Sequence, residues 1–242
     1  MKPIYEPKGK AKEYGDYALN IYGSCSHRCF YCYCPSILHK SKGQFFIGQN
    51  DHPYPRTGII EATMQQLEKE KITGKLIHLC FVGDPFPMGA DNSTTLEIIR
   101  LLKEHGNHIQ ILTKGDARQA IPLLDGDDWF GVTISSLGSA AKEAEPGALD
   151  PDWRIAQLVL AKAAGVNTWV SFEPVICAED VLKTIREYHN WIDKAKIGKL
   201  NYYSSDIDWA QFGHEAERLC RQVGLDYYIK ESLRFEMGKG RS

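Results

Sequence analysis

The sequence has no apolar run approaching the roughly 18 residues that span a bilayer. Its opening residues, Met1-Lys2-Pro3-Ile4-Tyr5-Glu6-Pro7-Lys8, lack the apolar core of a secretory signal. No membrane association is therefore expected, and the cytoplasm is the expected compartment. An excess of charge of one sign is also missing, because 29 Lys and Arg stand against 31 Asp and Glu, a formal net charge of -2. The overall basic excess of a nucleic-acid-binding domain is absent, which leaves only a local patch for such a partner. No low-complexity linker divides the 242 residues, of which 43% are hydrophobic and 25% charged. That balance predicts one α/β domain over residues 17–242, preceded by a polar arm over residues 1–16 that is rich in Lys, Gly and Pro.

What is present in quantity is cysteine, and it is crowded. Of seven cysteines, four lie within ten residues. In a chain of this size with no secretory signal, the crowding reads as metal ligation rather than as a disulfide framework.

Apolar runs of strand length alternate with segments of helical period. The strands expected are Tyr17–Tyr22, Leu76–Val82, His108–Thr113, Trp129–Ser135, Asn167–Phe172 and Ile197–Tyr203. Between and after them, helices are expected near Ile59–Lys71, Asn92–His105, Asp116–Leu124, Pro151–Ala164, Ala178–Ile192 and Asp208–Val223, several opening on Asn, Asp or Pro. Six repeated βα units predict a parallel sheet with outer helices, closed into a partial barrel. In such sheets chemistry gathers at the C-terminal strand ends, where loops vary while the sheet holds them.

The segment Cys25-Ser-His-Arg-Cys29-Phe-Tyr-Cys32 lies at one such end, just past the first strand. A fully protein-ligated 4Fe-4S cluster takes four cysteines. Three on one loop leave an iron open, as a catalytic zinc keeps one position free for substrate. The competing reading is a structural zinc site completed by Cys34 or His27, although no second Cys-x-x-Cys accompanies it.

With three and then two residues between its cysteines, the loop resembles that of the radical S-adenosylmethionine superfamily. Later strand ends extend the likeness to the spore photoproduct lyase-like branch across most of Tyr17 to Ile176. The shared features are Asn20-Ile-Tyr22 before the cysteines, Gly83-Asp84-Pro85 after the second strand and Thr113-Lys114 after the third. Glu145-Pro146-Gly147 then stands before a helix carrying Arg154, and Ser171-Phe-Glu173-Pro174-Val175-Ile176 follows the fifth strand. The resemblance implies a partial (β/α)6 barrel and a 4Fe-4S cluster on Cys25, Cys29 and Cys32. It also implies S-adenosylmethionine chelated to the open iron through its amino and carboxylate groups. One-electron reduction by a flavodoxin- or ferredoxin-type partner then releases a 5'-deoxyadenosyl radical that abstracts hydrogen from a substrate.

By the same resemblance Tyr31 lies beside the adenine and Gly83, Asp84 and Pro85 meet the methionyl ammonium. Ser135 faces the ribose, Arg154 meets the methionyl carboxylate, and Thr113, Lys114 and Glu173 complete the pocket. Spore photoproduct lyase uses a cysteine three residues before the Asp of its second strand as hydrogen donor. Phe81 holds that place here, and Cys80 precedes it by one. A one-residue step turns a strand side chain to the other face, so Cys80 is a candidate donor only if a bulge turns it back. Nucleic acid or a nucleotide is the expected substrate class. A radical enzyme acting on a peptide or small metabolite, and a non-enzymatic iron-sulfur or zinc module, are the alternatives.

Overall fold

The computed structural model describes residues 2–46 and 52–239. The chain opens with β1 (Ile4–Tyr5), β2 (Tyr17–Leu19) and two short helices, α1 (Cys34–Ile37) and α2 (Lys42–Phe46). From α3 (Ile59–Glu70) onward, helices alternate with β3 (Leu76–Leu79), α4 (Ser93–Glu104), β4 (His108–Ile111) and β5 (Trp129–Thr133). There follow α5 (Gly138–Ala144), α6 (Pro151–Ala163), β6 (Asn167–Phe172), α7 (Ala178–Tyr188), β7 (Lys194–Ile197), α8 (Trp209–Val223), β8 (Asp226–Ile229) and α9 (Glu231–Lys239).

The eight strands form one sheet in sequence order. β1 is antiparallel to β2, and each later neighbour pair is parallel. Parallel strands covered on both faces should be apolar nearly throughout, and Ile77, Leu79, Ile109, Ile111, Phe130, Val132, Val170 and Phe172 are all buried. The inner face has a different composition. Trp169 lies across it and donates its indole N–H to the Ile111 carbonyl at 2.9 Å. Gly131 makes room for that ring, since a Cβ there would stand 2.1 Å from the indole nitrogen.

Several expectations change. The seventh strand is Lys194–Ile197, earlier than the expected Ile197–Tyr203. Ala195 and Ile197 there are buried, whereas Tyr202 and Tyr203 are exposed. The span read as a helix over Asp116–Leu124 is a 3-10 turn over Arg118–Leu123. Pro122 within it has no N–H to continue an α-helix. The sheet gains β8, and α5 fills the Glu-Pro-Gly approach.

Residues 2–16, expected as a polar arm, pack onto the sheet. Ile4 is buried and pairs with Leu19 in the sheet. Glu13 then crosses to the far edge, accepting from Tyr228 Oη at 3.1 Å and from the Glu231 backbone N–H at 3.2 Å. Its second oxygen stands 3.1 Å from Lys230 Nζ. The segment therefore ties the β2 side of the open sheet to the β8 side.

Among the described residues, no helix is long and apolar enough to cross a membrane.

Candidate active site

The loop leaving β2 carries the cysteines, and its path is set by backbone bonds. Cys32 N–H donates to the Cys29 carbonyl at 3.2 Å, and Cys25 N–H to the Phe45 carbonyl at 3.4 Å. Phe30 N–H donates to the Ala144 carbonyl, while His27 accepts from Gly147 N–H at 2.9 Å. Gly147 must be glycine, because a Cβ would stand 2.1 Å from the Ser26 carbonyl oxygen. The Glu-Pro-Gly segment thus docks against the cysteine loop in one register.

Cys25 and Cys29 are buried and Cys32 half-buried, all as free thiols. Burial, with Asp84 adding to it, holds the Cys25 thiol well above its ordinary pKa. Burial likewise pushes Cys29 up to about 12. Cys32 is lowered, chiefly by a hydrogen bond with the Cys34 thiol. A metal that binds such thiols displaces their protons.

Two further features fit a bound group. The hydroxyl oxygens of Ser24 and Ser26, on either side of Cys25, are buried without a hydrogen-bond partner. Buried polar atoms are rarely left so. The two extra zinc ligands considered above are otherwise engaged. His27 Nε2 accepts from the Met88 backbone N–H at 3.2 Å, and its Nδ1 lies 3.5 Å from Asp84. Burial lowers His27 to about 4, so the ring is neutral, with its proton toward Asp84. Cys34 points to the Phe81 carbonyl at 3.6 Å.

Asp84 is a latch between strand ends. One oxygen accepts from Phe86 N–H at 2.8 Å and from Thr113 Oγ1 at 2.6 Å. The other accepts from Lys114 N–H at 2.9 Å. Three hydrogen bonds, with His27 Nδ1 3.5 Å from the second oxygen, thus already engage this carboxylate. Pro85 accepts from Thr95 Oγ1 at 2.7 Å, which leaves the Gly83 backbone at this edge.

A second buried carboxylate, Glu145, gathers three expected site residues. One oxygen accepts from Tyr31 Oη and from Ser135 Oγ, the latter at 2.8 Å. The other stands 2.6 Å from Arg154 Nη1. Burial opposes its ionisation, but Lys114 and Arg154, with the two hydroxyls, outweigh that and lower its pKa. Arg154 is only 1% exposed and also donates to the Leu149 carbonyl at 2.6 Å and the Thr133 carbonyl at 2.9 Å. Instead of opening as a fork at the mouth, its guanidinium is closed beneath it. Lys114 is the cation that remains at the rim, its ammonium 5.5 Å from the Tyr31 ring centre. Although burial opposes its charge, Cys29 and Glu145 raise its pKa.

Sequence reasoning missed the wall of the lumen. Tyr14 Oη donates to Glu173 at 2.6 Å, and Lys230 Nζ pairs with the same oxygen at 2.7 Å. Lys196 donates to the Glu13 carbonyl at 2.7 Å and lies over the Tyr14 ring at 4.7 Å. Its sequence signal was Lys196 within β7 and Lys230 just past β8. Glu173 therefore belongs with this wall rather than with Glu145.

Cys80 does not reach the mouth. Its backbone is left-handed, with φ of 67°, yet its sulfur accepts from the Ile21 backbone N–H at 3.3 Å. Burial pushes its pKa up to about 12. This left-handed turn just past the end of β3 leaves the thiol buried against the Ile21 backbone. Phe81 stacks on His78 at 4.3 Å instead, and its carbonyl accepts from Tyr33 Oη at 2.6 Å.

The chain is 26% identical over 172 residues to the uncharacterized protein Rv2578c of Mycobacterium tuberculosis, covering 66% of this chain and 49% of that one. It thus spans about half the length of the curated relatives it matches. In fold it is similar to a spore photoproduct lyase mutant with bound AdoMet and dinucleoside spore photoproduct. The TM-score is 0.67 at 14% identity, over 93% of this chain and 78% of that one. It is also similar to Streptococcus suis SuiB bound to precursor peptide SuiA, with a TM-score of 0.65 at 13% identity over 92% and 51% of the two chains. The Radical SAM superfamily model matches residues 19–192, from Leu19 at the end of β2 to Ile192 just past α7, and the chain belongs to that superfamily of enzymes.

Proposed function

We propose that Cys25, Cys29 and Cys32 hold three irons of a 4Fe-4S cluster and that the fourth iron receives the amino and carboxylate groups of S-adenosylmethionine. Superfamily membership implies both cofactors. When bound, they supply the 5'-deoxyadenosyl radical through one-electron cleavage of a carbon–sulfur bond. The observation that carries this reading is one loop bearing three thiols, flanked by buried unpartnered serine hydroxyls and faced by a ring of polar groups on later strand ends.

The chain's own residues then have separable tasks. Asp84 holds the ends of β3 and β4 together, which fixes Thr113 and the Lys114 backbone. The Gly83 carbonyl is the acceptor for the methionyl ammonium, a group with three donors and no acceptor. Lys114, rather than Arg154, meets the methionyl carboxylate. Tyr31 and Ser135 flank the adenosyl moiety, held in place by Glu145. The lumen wall of Tyr14, Glu173, Lys196 and Lys230 confines the radical's target and excludes competing hydrogen sources, the protein's usual share of cofactor chemistry.

For the substrate, nucleic acid or a nucleotide is the reading we favour. Phe30, Tyr33, Tyr202 and Tyr203 are exposed near the mouth, and Tyr203 donates to the Phe30 carbonyl at 2.9 Å. Lys10 lies 5.5 Å over the Tyr202 ring. Exposed rings beside cations suit planar bases on an anionic chain. Among the similar structures, the lyase holds a dinucleoside photoproduct and SuiB a precursor peptide, so a peptide is the competing class. A flavodoxin- or ferredoxin-type reductant and a cytoplasmic location complete the proposal.

Anaerobic reconstitution followed by dithionite and S-adenosylmethionine tests it. The wild-type chain is expected to release 5'-deoxyadenosine and Cys29→Ala none. A fully loaded cluster that yields no 5'-deoxyadenosine would overturn the reading. Binding of labelled single-stranded oligonucleotide at low and high salt tests the substrate class, and failure at low salt removes nucleic acid from it.

A further inference from the structure

Tyr31 and Ser135, which flank the proposed adenosyl site, and the buried Arg154 all close on the one carboxylate of Glu145. Tyr31 reaches it from the cysteine loop, Ser135 from the end of β5 at 2.8 Å, and Arg154 from α6 at 2.6 Å. These come from three separate elements, and Tyr31 is 114 residues away in sequence. Glu145 and Arg154 are both buried. Replacing such a pair with packed apolar groups is often neutral or favourable for stability, so net stabilisation is a weak reason for it to be there. What the pair does provide is geometry. The residues on either side of Glu145 point the same way, because Ala144 accepts from Phe30 N–H at 3.0 Å and Gly147 donates to His27. The carboxylate thus stands where the cysteine loop, the β5 rim and α6 meet.

We infer that Glu145 is a positioning residue for S-adenosylmethionine, locking Tyr31, Ser135 and Arg154 into one unit that sets the shape of the cofactor pocket. The inference rests on the function proposed above and assigns Glu145 no direct contact with the cluster. Partners that orient a metal site from behind its ligands typically contribute about 10–100-fold to affinity or activity.

The experiment uses reconstituted protein and reads three quantities on each sample: iron content, equilibrium binding of S-adenosylmethionine, and thermal unfolding. Glu145→Gln is expected to keep its iron and to bind S-adenosylmethionine at least about tenfold more weakly. It should also need correspondingly more S-adenosylmethionine to perturb the electron paramagnetic resonance of the reduced cluster. Because this variant leaves Arg154 buried without its counter-charge, the double variant Glu145→Gln/Arg154→Gln separates folding from positioning. Removing both charges should recover thermal stability but not affinity. Tyr31→Phe and Ser135→Ala, which delete one hydrogen bond each, should weaken binding by less.

Wild-type affinity in Glu145→Gln, or recovery of affinity along with stability in the double variant, would overturn the inference and leave Glu145 a structural residue. Loss of iron and fold in both variants would overturn it equally. Failure of the wild-type protein to bind S-adenosylmethionine would instead sink the function on which the inference rests.

Discussion

The two ends of the sheet use their carboxylates differently. At the N-terminal end, Asp128 accepts from Ile109 N–H at 2.7 Å and Asp125 N–H at 2.9 Å and pairs with Lys103. Asp193 accepts from Thr168 N–H at 2.9 Å and pairs with Lys162 at 2.5 Å. Each caps the backbone at the start of a strand and neutralises a lysine that reaches in from the surface. At the C-terminal end, Asp84 and Glu145 instead collect hydroxyls, loop N–H groups and a buried guanidinium from several elements. The first arrangement fixes strands, and the second fixes loops relative to one another. In parallel βα folds the first end serves stability and the second serves chemistry, and here the bonding partners of the carboxylates mark which is which.

The largest effect expected from breaking that division lies at the C-terminal end. Cys29→Ala should abolish the iron absorbance of the reconstituted protein, while Cys34→Ala should keep it. If both variants bleach, the ligand set is misassigned. Next comes Asp128→Ala, which leaves two backbone N–H groups without their acceptor and Lys103 with only the exposed Asp125, 2.8 Å away. Breaking a buried pair by removing one partner costs about 3–5 kcal/mol, discounted here to about 2–3 kcal/mol because Lys103 is partly exposed. Denaturant unfolding should show that loss while binding of S-adenosylmethionine by the folded fraction stays unchanged. Asp84→Asn should do the reverse, lowering affinity more than stability, and equal effects from the two variants would erase the distinction between the ends.

A smaller effect is expected from pH. Burial, reinforced by Lys196, lowers His78 to about 3. Between its unfolded value near 6.5 and that folded value, the unfolded chain binds the proton and the folded chain does not, so stability contributed by the neutral ring falls as pH falls through this window. Lowering pH from about 7 to about 5 should cost about 2 kcal/mol through this residue. His78→Phe should flatten that part of the profile in denaturant titrations at the two pH values. Smallest of all is Lys194→Ala, which removes a pair with Asp226 at 3.0 Å on the surface. Its expected cost is about 0.5 kcal/mol or less in a thermal melt.

Much of this was legible in the sequence where the signal is local. The cysteine spacing lies on one loop, and strands such as Asn167–Phe172 announce themselves by β-branched and aromatic residues, Thr168, Trp169, Val170 and Phe172. The short strands were harder. β1 has two residues and β8 reads Asp-Tyr-Tyr-Ile, so neither carries a period long enough to separate sheet from rim. The polar roles were hardest, because they depend on meetings across the chain. An Arg on a helix after Glu-Pro-Gly suggests a cation at the mouth, but only the packing of α6 beneath β5 shows its guanidinium closed on Glu145 and two carbonyls. Cys80 illustrates the same limit. The sequence raised the question of a bulge, and the structure has a left-handed turn at Cys80, just past β3, whose sulfur meets the Ile21 N–H.

The central claim is an iron left open by a three-cysteine loop and filled by S-adenosylmethionine. Electron–nuclear double resonance on the reduced, reconstituted protein, with isotopic label in the methionyl carboxylate, observes that bond directly. The expected result is a strong coupling to the label in the wild-type chain and in Cys34→Ala alike. A fully loaded cluster that shows no coupling to the label would contradict it.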